Sequence, residues 1–412
     1  MLLSLLLRHL IQRGQLTVID AKGKTHVFAG APGPQIAIRL HDPKLHWQIF
    51  LNPRLKFGEA FMDGRFTIDN ASIYDFLSLM TEGMNLAGPS WLAPLYNGFG
   101  RGLWRLQQYN PMRRARHNVA HHYDLSDALY ALFLDSDLQY SCAYFTEPGQ
   151  TIEAAQANKK RHIAAKLLLQ PGHRVLDIGA GWGGLALYLA RECGVEVTGL
   201  TLSTEQHRVA TERAAAAGLA GRVRFELCDY RAHAGIYDRV VSVGMFEHVG
   251  APHYRDFFAK MSRFLKPDGL ALLHSIGRSD GPGATNPWLR KYIFPGGYSP
   301  ALSEVVPAVE RTGLWITDIE ILRLHYAETL RAWRQRFNAN RERIRALYDE
   351  RFCRMWEFYL AGVELAFRKQ GHFVFQMQLA KAIDTVPLTR DYMLDWERSH
   401  GAPAAEDRRK SA

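Results

Sequence analysis

Residues 175–184 read V-L-D-I-G-A-G-W-G-G, and no other stretch of the chain is better suited to holding a ligand. An apolar run reaches Asp177, four glycines follow within six positions, and a helix-forming segment opens at Leu185. That order spells a strand, a tight turn and a helix start. Glycine lets a ligand approach the backbone closely, and a helix start leaves N–H groups free to meet it. A turn with no ligand would not need backbone entropy spent on so many glycines. The stretch therefore implies a nucleotide-like cofactor. Gly179, Gly181 and Gly184 also satisfy the dinucleotide pattern G-x-G-x-x-G. Such a site expects an acid about 20 residues further on, at the tip of the second strand. That strand is expected at Val195–Gly199 and runs into Leu200, Thr201, Leu202 and Ser203, none of them acidic.

Other reactive side chains lie far apart. Glu247 and His248 follow the apolar run Val240–Val243, at the carboxyl end where catalytic groups of α/β folds collect. An acid at a helix N-terminus is the alternative for Glu247. His274 sits near the end of the apolar run Leu270–Ile276, as a site residue or as a satisfied core histidine. Cys142 has no partner for nucleophilic work nearby in sequence, and a lone cysteine is usually a small buried hydrophobe. Tyr326 opens an expected helix and fits packing equally well. Asp229 and Tyr230 follow the third expected strand, as ligand contacts or as an ordinary turn. The four cysteines, Cys142, Cys193, Cys228 and Cys353, make no C-x-x-C pair and no zinc spacing, so no metal site is expected and a reducing compartment suits them.

The elements that must position these groups follow from the patterning. From about residue 120, strand-like and helical segments alternate, which argues for a doubly wound parallel sheet. Strands are expected at Arg174–Ile178, Val195–Gly199, Val223–Leu227, Arg239–Val243, Gly269–Ser275, Trp315–Ile321 and Phe373–Leu379. Residues 1–115 read as a small α+β domain with strand-like runs at Leu16–Ile19, His26–Phe28 and Ile36–Leu40, then Trp47–Leu51 and Gly58–Asp63, then helical patterning around Ile73–Met80. Leu3, Leu6, Leu7, Leu10 and Ile11 share a helical face, read as a first helix packed on its own domain in preference to a membrane-touching one. No secretory signal is expected there.

A looser stretch, Asn85–Gly102, and a basic patch, Arg113, Arg114, Arg116 and His117, form the expected linker. Residues 116–400 make the second domain, and a disordered tail is expected over 401–412. With 51 Lys+Arg against 41 Asp+Glu, the net charge of +10 favours an anionic partner, nucleic acid or an acidic membrane surface. Arg331, Arg334, Arg336, Arg341, Arg343 and Arg345 form either a solvated charged face or a contact for phospholipid head groups. No segment is apolar for long enough to span a bilayer.

Asp177-x-Gly179-x-Gly181-x-Gly183 resembles the first motif of S-adenosylmethionine-dependent methyltransferases. Further segments narrow the likeness: residues 121–145, H-H-Y-D-L-S-D-A-L-Y-A-L-F-L-D-S-D-L-Q-Y-S-C-A-Y-F; G-L-T-L-S-T-E-Q at 199–206; V-S-V-G-M-F-E-H-V-G at 241–250; L-L-H-S-I-G at 272–277; Y-I-F-P-G-G at 292–297; and H-Y-A-E-T-L-R-A-W at 325–333. Together, and over most of residues 45–385, they resemble the cyclopropane-fatty-acyl-phospholipid synthase and mycolic acid cyclopropane synthase family.

The resemblance implies a class I S-adenosylmethionine methyltransferase fold, an α/β seven-stranded doubly wound sheet, behind the small N-terminal domain. It implies an enzyme that attacks the methyl group of S-adenosylmethionine with the π bond of a cis-unsaturated acyl chain of a membrane phospholipid. A carbocation then loses a proton to bound bicarbonate and closes to a cyclopropane. Carried over by position, the bicarbonate cage is Cys142, Glu247, His274, Tyr326 and the backbone at Ile276. The cofactor contacts are Tyr140, Ser141, Asp177, Gly179, Gly181, Thr201, Gln206, Asp229 and Tyr230.

The aromatics Trp288, Tyr292, Phe294 and Tyr298 of the insertion Gly277–Pro300 are expected to line an acyl channel or to pack in the core. The resemblance also implies a cytoplasmic protein, peripheral on the inner face of the cytoplasmic membrane. Its partners would be unsaturated phospholipid and an anionic membrane surface rather than nucleic acid, with a homodimer among the options. The alternatives are a fatty-acyl C-methyltransferase leaving a methyl or methylene branch, a small-amine N-methyltransferase and a non-enzymatic lipid-binding protein.

Overall fold

The computed structural model describes residues 2–87 and 126–400. The linker residues past Ala87, the basic patch Arg113–His117, the boundary near residue 115 and the tail 401–412 lie outside them.

Four strands, β1 (Arg13–Ile19), β2 (Thr25–Ala29), β3 (Ala31–Leu40) and β4 (Phe66–Ile68), form a small sheet in the order β2-β1-β3-β4. Helix Leu3–Leu10 lays Leu3, Leu6 and Leu7 against Leu16, Val18, Ile36 and Ile38 of this sheet, the spacing of one helical face. This is the first helix packed on its own domain. Trp47–Leu51 and Gly58–Asp63 are helical, not strand-like, within helices Leu45–Leu51 and Pro53–Met62. Leu45 and Ile49 are buried while Trp47 and Leu51 are exposed, a four-residue period that no strand face repeats. Pro53 takes the first position of its helix, where a missing N–H costs nothing.

The larger sheet contains all seven expected strands: β5 (Arg174–Ile178), β6 (Glu196–Thr201), β7 (Val223–Leu227), β8 (Tyr237–Val243), β9 (Leu265–Arg278), β10 (Trp315–Leu322) and β11 (His372–Ala380). Their order is β10-β11-β9-β8-β5-β6-β7. The run from β9 to β7 is parallel, and β11 enters antiparallel between β9 and β10.

Both faces of this sheet are covered. Leu176, Val240 and Leu273 join a core with Phe257, Phe258 and Met261 of helix Tyr254–Phe264. Their neighbours Val175, Val241 and Leu272 join a second core with Leu185, Ala186 and Leu189 of helix Gly184–Cys193. Burial on both faces makes these strands continuous apolar runs rather than alternating ones. β9 is longer than the expected Gly269–Ser275 because its register against β8 jumps from Tyr237–Leu265 to Arg239–Leu270.

The insertion after β9 carries helix Pro287–Tyr292, capped by the Asn286 side chain. Trp288 and Tyr298 are core residues, not channel lining. The Trp288 indole N–H meets the Met62 sulfur at 3.1 Å and its ring lies 4.7 Å from Phe358. The buried Tyr298 donates to Glu304 at 2.7 Å. Tyr292, half-buried, donates to Glu59, which also binds Lys56 and Lys291. Glu59, on helix Pro53–Met62, thus ties the N-terminal module to the insertion.

The arginine run on helices His325–Ala339 and Arg341–Leu347 is spent inside the chain. Arg331 pairs with Glu328, Arg334 with Glu364, Arg336 with Glu153, Arg341 with Glu350 and Glu357, and Arg345 with Glu342. Arg343 donates to Asn340. These partners favour a structural reading of the run over head-group contact.

Gly58 lies under the Trp288 ring, where an added Cβ would come within 2.4 Å of the indole. Gly58→Ala should cost about 1–3 kcal/mol through overpacking, read as a lower denaturant midpoint. An unchanged midpoint would show that the module and the insertion do not touch in this way.

Candidate active site

The loop after β5 opens a cleft of about 1180 Å³, mouth included, at the carboxyl edge of the large sheet. Ligands of α/β folds bind at this edge. Gly179 has φ +90°, and a Cβ there would lie 2.8 Å from the Met245 Cβ. Gly183, at φ +82°, caps helix Gly184–Cys193 and packs against Phe225, so the helix starts one residue before the expected Leu185.

All nine residues expected to contact the cofactor line this one cleft: Tyr140, Ser141, Asp177, Gly179, Gly181, Thr201, Gln206, Asp229 and Tyr230. They arrive from β5, the tips of β6 and β7, helix Thr204–Ala216 and the segment before helix Ile152–Lys166.

Their hydrogen bonds fix what each can still offer. Thr201 donates to Gln206 Oε1 at 3.0 Å, which leaves the Gln206 Nε2 donors for a ligand. Asp229 accepts three bonds from Arg231, two on Oδ1 and one on Oδ2. A carboxylate has about four acceptor sites, so roughly one remains on Oδ2. Asp177 is buried and its Oδ2 has no hydrogen-bond partner. Burial pushes its pKa up to about 7, against the pull of Lys159. An unpartnered carboxyl in the wall of a cleft suits a ligand cation, such as the ammonium group of an amino acid. His248 also lines the cleft, and burial lowers its pKa to about 4, so it is neutral near pH 7.

The expected cage residues sit behind this cleft, and none of the five lines it directly. Glu247 is on the short turn Phe246–His248 after β8, and its Oε1 accepts the Ile276 N–H of β9 at 2.7 Å. Its Oε2 is buried with no partner of good geometry, and the nearby Ser275 hydroxyl donates to the Ile276 carbonyl. Burial raises the Glu247 pKa to about 7, opposed by the Ile276 N–H and Ser275. His274, two residues from Ile276 and so on the same strand face, meets Gln376 of β11 at 3.2 Å. Burial holds its imidazole neutral, with a pKa well below the usual value.

Cys142 and Tyr326 share a core cluster with Ile276. The Cys142 thiol donates to the Ala143 carbonyl at 3.3 Å, and burial raises its pKa far above the usual range. It is a neutral donor, not a thiolate nucleophile. The Tyr326 ring packs edge-on to Trp333, which stacks on Tyr140 at 5.2 Å.

Sequence reasoning missed Trp182, Gln139 and Lys159. Trp182 lines the cleft, bonds Asp127 at 2.9 Å and lies 4.9 Å from Tyr130. Its place inside the glycine motif was the available signal. Gln139 adjoins Tyr140 and also lines the cleft. Lys159 carried no signal, because a lysine on a polar helix ordinarily faces water.

Residues 110–377 match the family described as mycolic acid cyclopropane synthetase. The cyclopropane-fatty-acyl-phospholipid synthase of Escherichia coli K12 is 38% identical over 347 residues, 84% of this chain and 88% of that protein. The chain belongs to the cyclopropane-fatty-acyl-phospholipid synthase family. It is also similar to a probable fatty acid methyltransferase of Pseudomonas putida, 36% identical over 357 residues, 83% of this chain and 86% of that one. A mycolic acid cyclopropane synthase solved in complex with SAH and CTAB has a TM-score of 0.62 at 33% identity, covering 66% of this chain and 99% of that chain.

The protein is thus an S-adenosylmethionine-dependent methyltransferase of the lipid-modifying, cyclopropane synthase type. Its cleft fits that cofactor: an orphan carboxyl for an ammonium group, amide donors at Gln206 and one acceptor left on Asp229.

Glu247 yields a sign-defined test. Its pKa is raised above the ordinary 4.5, so the folded chain holds this proton more tightly than the unfolded chain. The stability this supplies is complete below pH 4.5 and is lost as pH rises to about 7. Glu247→Gln should stabilise the ligand-free protein more at pH 8 than at pH 5, by about 1–3 kcal/mol. Equal denaturation midpoint shifts at both pH values would mean that this carboxyl is not buried.

Proposed function

We propose that the enzyme transfers a methylene group from S-adenosylmethionine to the cis double bond of an unsaturated acyl chain in a membrane phospholipid, forming a cyclopropane. One observation carries the reading: a buried carboxyl, Glu247, is held on the Ile276 N–H with its second oxygen unpartnered, next to His248 in the wall of the cofactor cleft. S-adenosylmethionine supplies an electrophilic methyl group. The alkene is a weak nucleophile, so the chain's task is to hold it in line with that methyl, and positioning supplies much of the rate.

The new C–C bond would form as the methyl's bond to sulfur breaks and S-adenosylhomocysteine leaves, and the positive charge then on the lipid needs a dry site faced by π systems. Tyr140, Trp333 and Tyr326 supply such faces. The C–H bond of the transferred carbon then breaks, its electron pair closes the ring, and the proton goes to the cage.

In this reading a bicarbonate held by Cys142, Glu247, His274, Tyr326 and the Ile276 backbone would supply the base, and the donor set suits such an ion. The Cys142 thiol and the His274 imidazole are neutral donors. Glu247, with its pKa near 7, can share a proton with a second anion instead of repelling it. Glu247 already takes the Ile276 N–H, so an ion entering the cage would share that donor or displace the carboxyl.

Among the described residues no helix is long and apolar enough to cross a membrane. The reading places the enzyme at the inner face of the cytoplasmic membrane, drawn to anionic lipid by its net charge of +10. The name of the Pseudomonas putida relative favours the second reading, methyl or methylene branching of a fatty acyl chain.

Incubation with labelled S-adenosylmethionine and monounsaturated phospholipid vesicles, followed by mass spectrometry of the acyl chains, separates the two. A gain of one methylene with loss of the double bond supports ring closure, and a branched alkene supports the second reading. Label on small amines alone would overturn both. Glu247→Gln should lose at least ~100-fold in turnover while still binding S-adenosylhomocysteine. Wild-type turnover in that variant would remove Glu247 from the mechanism.

A further inference from the structure

Lys159, on helix Ile152–Lys166, is 1% exposed, and its ammonium group makes no ion pair within 4 Å among the described residues. Its two hydrogen bonds go to neutral oxygens, Gln139 Oε1 and Ser141 Oγ, the latter at 2.8 Å. Burying a cation on neutral partners is costly, and a purely structural lysine would be matched by a carboxylate. The next residue shows the contrast: Lys160 pairs directly with Asp137. Both oxygens that Lys159 holds belong to residues lining the cofactor cleft.

Hydrogen-bond polarity gives the arrangement a direction. An ammonium group only donates, so Ser141 Oγ must accept from Lys159. The Ser141 hydroxyl proton then points elsewhere, and no described residue takes it. Gln139 is fixed in the same way, its Oε1 on Lys159 and its Nε2 donating to Asp137 at 3.0 Å. Gln156, one turn earlier on the helix, donates to the carbonyls of Gln139 and Ser141 at 3.2 and 3.0 Å. The helix therefore grips segment 139–141 by backbone and side chain together. Asp177, with its orphan Oδ2, lines the same cleft. Asp177 in the wall of the cleft, and Lys159 held just behind its Ser141 and Gln139, put a negative and a positive group near each other, which suits the ammonium and carboxylate groups of an amino acid.

We propose that Lys159 is a positioning residue of the cofactor site: held beneath Ser141, it makes the serine hydroxyl a hydrogen-bond donor aimed at the carboxylate of the methionine moiety. This rests on the cleft holding S-adenosylmethionine and not on which lipid is methylated. Groups facing Lys159 are Asp135, Asp137 and Cys142 from the segment before its helix, Lys160 on it, Asp177 on β5 and His274 on β9. Burial is the largest influence and brings its pKa down to about 8. The charge is lost as pH rises through that value, and the neutral amine can then accept from Ser141 as well as donate to it, so the serine is no longer obliged to point its proton into the cleft.

The test measures binding by calorimetry with two probes, S-adenosylhomocysteine and S-adenosyl-3-thiopropylamine, which keeps the amine but lacks the carboxylate. Lys159→Met should weaken S-adenosylhomocysteine about 10–100-fold and leave the amine probe within about twofold. Lys159→Arg should recover part of the loss. Ser141→Ala should reproduce the selectivity of Lys159→Met, and the double variant should lose no more than either alone. In the wild type, S-adenosylhomocysteine should bind more weakly at pH 9 than at pH 7, while the amine probe shows no such change. This arm needs no variant to fold. Equal losses for both probes, or wild-type binding of the carboxylate probe that ignores pH, would overturn the proposal and leave the cleft assignment standing. A wild type that binds neither probe would overturn both.

Discussion

Five titratable side chains at the carboxyl edge of the large sheet are buried, and their charges are set by that burial. Asp177, Glu247, His248, His274 and Lys159 all lie there, each held by burial toward its neutral form. In water these groups would be two carboxylates, an ammonium and two half-titrated imidazoles. In the folded chain they are two acids poised near pH 7, neutral imidazoles and a lysine that loses its charge near pH 8. The cost is borne by the two apolar cores that sandwich the sheet. Those cores also fix the strand ends that carry the groups, so the same packing that buries these side chains positions them.

The glycine loop depends on this constraint as much as on its own residues. Gly179 and Gly183 adopt positive φ, which a side chain disfavours, and each lies against a neighbour that a Cβ would strike. The neighbours, Met245 and Phe225, come from the turn after β8 and from β7. The loop therefore has its shape only when the parallel strands are assembled around it.

The catalytic half of the fold was legible in the sequence because parallel strands buried on both faces are written as unbroken apolar runs. Seven such runs became seven strands, and Arg174–Ile178 and Val223–Leu227 kept their bounds. Trp47–Leu51 was not legible as a helix because the large exposed Trp47 interrupts the apolar period, and Gly58–Met62 because its helix has no single apolar face and buries Gly58, Glu59, Ala60 and Met62 together. The nine residues that line the cleft could be picked out because they sit at strand tips and in recognisable segments. What could not be read was pairing across the fold: the Ile276 N–H on Glu247, Trp288 over Gly58, and Lys159 under Ser141. The insertion aromatics divided between core and half-exposed positions for the same reason, since nothing within 277–300 encodes that Met62 and Phe358 await Trp288.

The chemistry of the acceptor also bears on why the acids are buried. An amine acceptor loses its proton readily to water, so a buried base would be superfluous for N-methylation. A carbon acid next to a cationic centre must lose its proton inside a dry site, or water captures the cation first. Glu247, buried on the Ile276 N–H with a pKa near 7, suits the second task. The arginine run agrees with that division of labour. The partners of Arg334, Arg336 and Arg341 lie on other segments of the chain, so these three brace the helices around the aromatic cluster of Tyr140, Tyr326 and Trp333. Charge on the outer helices thus serves rigidity, while the groups at the sheet edge are set by burial.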